Sequence, residues 1–254
     1  TICWETPQPQ KGEVRLLDAD GKPVKQVATP DAAARHEVVV DGLLAGQRYS
    51  YDVVVGDDAK SIGKGTFRSA PARGEPISFV VWGASRSGEK TAAALAAQIL
   101  RTGVGMCVHT GDLVGDGKRL DQWDRQLFGA CGELMRNVVL SPAVGNHDKG
   151  MMPDGKSDVF SHMFALPGQE TFYSFDYGDA HFLVLDTTSP MDKQAEFARQ
   201  DLSKTEASLL GNLLYGGLKG AYFQGDLQPR VTALEILNID LLDFRLLDLL
   251  YAQF

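Results

Sequence analysis

Cysteine is scarce in this sequence: Cys3, Cys107 and Cys131 are the only three in 254 residues. So few, so scattered, they exclude a disulfide framework and a thiolate zinc site. Cys107 lies in an apolar run and is expected to be a buried small hydrophobe. Basic charge is also in deficit, with 25 Lys and Arg against 33 Asp and Glu and a net charge of −8. A nucleic acid needs a basic face, so it is excluded as a partner. An anionic small substrate is not, because a bound metal would reverse the local sign. Uninterrupted apolar runs of membrane length are missing too. The leucine-rich stretch ALEILNIDLLDFRLLDLLYAQF is broken by Asp240, Asp243 and Asp248, so no membrane span is expected. No signal peptide is visible, and the chain opens at Thr1 in the strand-like TICWET, as if trimmed; its start therefore says nothing of the compartment. What is present, 44% hydrophobic and 23% charged residues, is the composition of a globular protein with room for one large domain or two ordinary ones.

Two patterns follow one another along the chain. Up to about Phe67 the runs EVRLLD, HEVVVDGL, RYSYDVVVG and KGTFRSA are short, rich in Val and Tyr, and divided by the turn signals DADGK and GDDAK. They predict an all-β sandwich of immunoglobulin-like or fibronectin-like size over residues 1–70. SAPARGEP (Ser69 to Pro76) reads as a linker, with its strict core at residues 71–76. From residue 77 to 254 the pattern is α/β. ISFVVWG, GMCVHTGD and VVLSPAV are apolar runs suited to strands buried on both faces, separated by the helical TAAALAAQILRTG and LDQWDRQLFGACGELM. ETFYSFDYGDAHFLVLDTT adds two strands around the turn YGD. Ligands of such sheets gather at the carboxyl ends of strands. Three of these ends carry distinctive residues: GASRSG, TGDLVGDG and GNHDKG.

A plain turn after VVLSPAV would use Gly145 and an Asn or Asp; it would have no use for His147. Asp112 in TGDL and Asn146 in GNHD are hard oxygen donors at one sheet edge, suited to a divalent cation. Asp148 is a possible carboxylate partner that would set the tautomer of His147. Either block alone is compatible with an ordinary turn, but together, at successive strand ends, they point to a site.

These blocks resemble those of the calcineurin-like metallophosphoesterase superfamily, which run GDxx, GDxxxxG and GNHD or GNHE. The β module, the linker and TFYSFDYGDAHFLVLDTT are similar to the purple-acid-phosphatase-like branch, which places a fibronectin type III-like domain before the catalytic one. The resemblance extends from Thr1 to about Thr205. It implies a metal-dependent phosphoester hydrolase acting through a dimetal-activated hydroxide, with iron, manganese or zinc as the metals. Asp112 would bridge two metals, Asn146 would bind one, and His147 would contact the phosphate or help protonate the leaving group, with Asp148 behind it. It further implies a secreted or periplasmic protein with a phosphorylated small molecule or other phosphoester as substrate.

The departures are equally specific. Ala84 stands where the first block has an aspartate ligand, and a methyl group binds no cation. Arg86 stands where many relatives have His; it cannot ligate metal but could grip a phosphate oxygen. Gly115 occupies the place of the tyrosine that colours purple acid phosphatases. The family has two later histidine blocks, yet no His follows His181 in these 254 residues. His181 and His162 are expected to be packing or surface residues, and His109 a strand residue near the site. The expectation is therefore impaired turnover, with at most one metal weakly held. The rival is a non-catalytic binding or structural module on the same fold; an adhesion module, resting on the β domain alone, is a weaker third. The segment from Ala207 onward does not match the family and is expected to be either a helix closing the sheet or an altered sequence. Neither the natural substrate nor the oligomeric state is readable.

Overall fold

A computed structural model describes residues 1–168, 171–204, 209–215 and 221–224. The first part is built from strands alone. β1 (Ile2–Gln10) pairs antiparallel with β4 (Ala33–Val38), and β2 (Gly12–Leu17), β3 (Pro23–Ala28), β5 (Arg48–Val55) and β6 (Lys60–Arg68) form an antiparallel sheet in the order β3-β2-β5-β6. Along β2, Gly12, Val14 and Leu16 are buried while Glu13, Arg15 and Leu17 are half-buried, the period-two alternation of a sheet with one covered face. Val14, Val38 and Val53 form one apolar cluster with Ile2 and Trp4, so both sheets contribute to a common core.

β7 (Phe79–Trp82), β8 (Met106–His109) and β9 (Val139–Pro142) follow as a parallel sheet in that order. All four residues of β8 are buried, which is why its sequence is a continuous apolar run rather than an alternation. The crossovers are helical: α1 (Glu89–Thr102) after β7, then α2 (Leu120–Gln122), a wider π-helical segment (Trp123–Gly129) and α3 (Ala130–Asn137) after β8. Ala92, Ala96 and Ile99 of α1 and Cys131 and Leu134 of α3 pack with Cys107 over one face of this sheet. Cys107 is thus a core residue, and burial pushes its thiol up to about 12. α1 ends where Gly103 takes φ +72° and its N–H turns back to the Leu100 carbonyl, a stop that suits glycine.

The opposite face meets β10 (Tyr173–Tyr177) and β11 (Ala180–Asp186), an antiparallel pair. Phe182 stacks on Phe175 and meets Phe79 edge to face, joining Met106 and Val108 to this second sheet. α4 (Val159–Met163) precedes β10 and α5 (Asp192–Leu202) follows β11. Residues 209–215 then form β12 (Leu209–Tyr215), parallel to β11, and β13 (Ala221–Gln224) pairs antiparallel with it. This part of the tail is therefore strand rather than helix, because β11 offers an edge to which the leucine-rich run LLGNLLY can add. The leucine-rich stretch from 233 onward lies outside the described residues.

The proline-rich connection does not run loose. Gly46 N–H reaches Ala70 O, Ala72 N–H reaches a Glu75 carboxylate oxygen, and Gly74 N–H reaches Asp179 Oδ2. The two parts also touch directly. Thr66 donates its N–H and its hydroxyl to Asn137 Oδ1, and Tyr51 Oη donates to the Arg136 carbonyl at 3.0 Å. Gly65 is required at this seam, because a Cβ there would strike the same Arg136 carbonyl. Among the described residues no helix is long and apolar enough to cross a membrane.

Candidate phosphoester site

The three strand ends singled out in the sequence meet around Asp112. β7 runs into Gly83–Gly88, β8 into Gly111–Gly117, and β9 into Ala143–Lys149. Parallel strands deliver all three loops to one edge, as their common direction requires. Asp112 itself has φ +57°, a left-handed backbone that Asp tolerates better than most residues. This turn brings its backbone and carboxylate onto Gly145, where any Cβ would collide with both. That close approach is why the third block begins with glycine.

Asp112 is 5% exposed at its side chain, and both of its oxygens are engaged. Oδ2 is paired with the Arg86 guanidinium through Nη1, and Oδ1 accepts the His147 backbone N–H at 3.2 Å. Arg86 is tied twice, since its own N–H donates to the Asp112 carbonyl at 3.2 Å. Ala84, with φ +52°, is exposed at the turn of the first loop, and its N–H donates to Gly111 O. Asn146 is exposed, and its amide makes no hydrogen bond among the described residues. His147 is half-buried, its Nδ1 donating to the Gly115 carbonyl at 2.7 Å, which leaves Nε2 for a ligand.

Asp148 corrects one expectation. It does not orient the His147 ring; the Gly115 carbonyl does. Its fully buried carboxylate instead accepts N–H groups from Asp112 (2.9 Å), Gly145 (2.8 Å) and Val114 (3.1 Å), stapling the second block to the third. Burial pushes this carboxyl up to about 7 while backbone N–H groups pull the other way. The role follows from position: a carboxylate just past a tight turn faces backward onto backbone donors before it can reach a neighbouring ring.

Three further features carry weaker sequence signals. His109 ends β8, fully buried, edge to face with Trp82 and with Nε2 2.9 Å from Ser85 Oγ. The spacing suits a nucleophile and base, but the hydrogen bonds do not. Gly111 N–H donates to His109 Nδ1, so the ring proton sits on Nε2 and is given to the serine. Burial also holds the imidazole down at about 3, too weak a base to activate a hydroxyl. His181 is no surface residue; it bridges Asp176 (2.7 Å) and Asp201 (2.6 Å), fastening α5 to the second sheet. Lys149 and Asp186 were not singled out by sequence reasoning, although both lie where a site residue would: one in GNHDKG, the other ending β11. Lys149 Nζ reaches Asp186 Oδ2 at 2.8 Å and Ser189 Oγ at 2.9 Å.

Asp186 gives a pH prediction. Burial raises its carboxyl, but hydrogen bonds from Lys149, Ser189 and Thr188 and the Lys149 charge outweigh burial and leave it below the usual range. A carboxyl lowered in the folded state contributes stability above its unfolded value, and loses it as pH falls through the folded one. Lys149→Met removes the charge and one donor, so burial is opposed less and the carboxyl lies higher than in the parent. Acid unfolding followed by far-ultraviolet dichroism should begin at higher pH in Lys149→Met than in the parent.

Among the described residues the donor set does not fit a dimetal centre. Of the implied first-loop ligand only the Ala84 methyl remains, the Asp112 carboxylate is occupied by a guanidinium, and Asn146 is a lone neutral oxygen donor. Among the described residues no group of three or more His, Cys, Asp or Glu side chains is placed to hold a cation. What these residues can do themselves is present N–H donors to an oxyanion: Arg86, Asn146 and, in the imidazolium form, His147 Nε2.

This chain has the calcineurin-like phosphoesterase fold of purple acid phosphatases. It superposes on purple acid phosphatase PPD1 from yellow lupin (Lupinus luteus) seeds with a TM-score of 0.64 at 18% identity, and on PhoD with a TM-score of 0.54 at 12% identity. Each alignment covers 81% of this chain but only 46% and 55% of those chains. In sequence it is 31% identical over 101 residues to purple acid phosphatase 15 of Arabidopsis thaliana, over 36% of this chain and 18% of that protein. No family model matches the sequence.

Proposed function

We propose that this chain is a metallophosphoesterase-type domain directed at phosphoester substrates, whose metal-dependent hydrolysis is impaired. The observation that carries the reading is the meeting of the GD and GNHD loops around Asp112, with Asn146 exposed and His147 Nε2 unspent beside it. In this reading residues 1–70 are a fibronectin type III-like sandwich, 71–76 the link and 77–254 the phosphoesterase domain. His147, Asn146 and Arg86 hold the phosphoryl oxygens, and Asp148 keeps their loops in register. The impairment follows from Ala84 and from the engagement of Asp112 by Arg86, since two-metal hydrolysis needs both cations. A secreted or periplasmic setting accompanies the resemblance to purple acid phosphatases. The rival reading, a module that binds phosphoesters without turning them over, shares the same site and differs only in rate.

Phenyl phosphate titrated into the purified chain by calorimetry tests the proposal. Saturable binding is expected, weakened about tenfold by His147→Ala, the loss of one charge-assisted hydrogen bond. No binding to the parent chain would contradict it.

A further inference from the structure

We infer that Arg86 takes the place of a cation in this site, making it a phosphoryl-oxyanion site that works without a divalent metal. The inference deepens the reading of a phosphoester-directed site and rests on it.

A nearly buried carboxylate needs a positive partner, and Asp112, with 5% of its side chain exposed, has Arg86. The pairing is built in rather than incidental. Arg86 addresses Asp112 with its side chain through Oδ2 and with its main chain through the Asp112 carbonyl, while Ala84 N–H closes the same loop onto Gly111 O. A divalent ion drawn to Asp112 would have to displace the guanidinium of a residue held at both its main chain and its side chain. The other Asp112 oxygen is taken by the His147 N–H.

The charges agree. With Ala84 in the first loop, one carboxylate faces one guanidinium. Asp148, the other acid of the cluster, is turned onto backbone N–H groups. An aspartate at 84 would leave a net negative charge that only a metal could offset; alanine leaves balance without one. Ala84 and Arg86, two residues apart, are thus one coherent departure. The guanidinium also has donors to spare. It carries five N–H groups, gives Asp112 one of them, and is 34% exposed. Its planar fork matches two phosphate oxygens. Asn146 adds a neutral amide donor at the neighbouring strand end, and His147, whose Nδ1 is spent on Gly115, adds Nε2 as a donor when its ring is an imidazolium. The ligand class is a phosphate dianion, free or as a monoester.

The test is calorimetric titration of inorganic phosphate, once with EDTA present and once with added manganese, into the parent, Arg86→Ala and Arg86→Lys. The parent is expected to bind phosphate equally well in both conditions. Arg86→Ala should lose about tenfold or more in EDTA, the loss of a charge-assisted bond. Arg86→Lys, which keeps the charge and reports on folding, should retain part of the binding. Manganese alone should bind Arg86→Ala more tightly than the parent. Phosphate binding by the parent only with manganese, or equal manganese affinity in parent and Arg86→Ala, would overturn the inference and leave the phosphoester reading standing. Absence of phosphate binding in both conditions would bring down both.

Discussion

Asp148→Ala is expected to cost roughly 3 kcal/mol or more of folding stability, because three buried backbone N–H groups lose their acceptor at about 1–3 kcal/mol each. The groups are those of Asp112, Val114 and Gly145, all inside the loop cluster. Urea unfolding of parent and variant measures the difference. A change within about 0.5 kcal/mol, the range of ordinary surface substitutions, would mean that the staple does not hold. The same carboxyl predicts a pH slope. Its folded value of about 7 lies above the ordinary 3.8, so between the two the folded chain keeps a proton that the unfolded chain has lost. Stability from this group therefore falls as pH rises through that window and is level above it. Asp148→Asn, which does not titrate, should lack that slope in the same unfolding series.

Ala84→Asp combined with Arg86→Ala is expected to bind manganese or zinc about 10- to 100-fold more tightly than the parent, a gain on the scale by which groups around metal sites act. Residue 84 ends the turn that hydrogen-bonds to Gly111, immediately before Asp112, and a carboxylate there adds a hard oxygen beside the one Arg86 releases. The backbone does not oppose the change, since φ +52° suits Asp better than Ala. Without metal, the two carboxylates repel and the apo variant should melt lower than the parent. Ala84→Asp alone should gain less, because Arg86 still occupies the Asp112 carboxylate. Full catalysis should not return in either, because Asn146 remains a lone neutral donor for a second cation. Titration with metal, read by calorimetry and by the melting temperature, separates these outcomes. Equal affinity in parent and double variant would show that position 84 does not border the Asp112 carboxylate.

The order of strands and helices was legible because burial on both faces turns β7, β8 and β9 into apolar runs, and helical composition fills the crossovers between them. The GD and GNHD loops were legible because Gly145 must admit Asp112, a demand that leaves a visible glycine. The partners inside the cluster were not. A backbone acceptor such as the Gly115 carbonyl has no sequence signature, so His147 was paired with the nearest acid, Asp148, which in fact serves backbone donors. The pairing of Arg86 with Asp112 spans 26 residues and exists only once the strands lie side by side. His181 looked like a packing residue because its two carboxylate partners sit on β10 and α5, elements that alternation along β11 cannot reveal. The strand β12 was hidden for another reason: leucines, not branched at Cβ, suit a helix, and only the open edge of β11 decides for a strand.

The most direct test of the whole account is the turnover of p-nitrophenyl phosphate by the rigorously purified chain with manganese or zinc supplied, with bound metal measured on the same sample. The account predicts a rate far below the ordinary enzymatic value of about 10 per second and less than one tightly bound metal per chain. A rate near that value, with two metals retained through dialysis, would contradict it, and would mean that other residues complete the centre that Ala84 and Arg86 leave open.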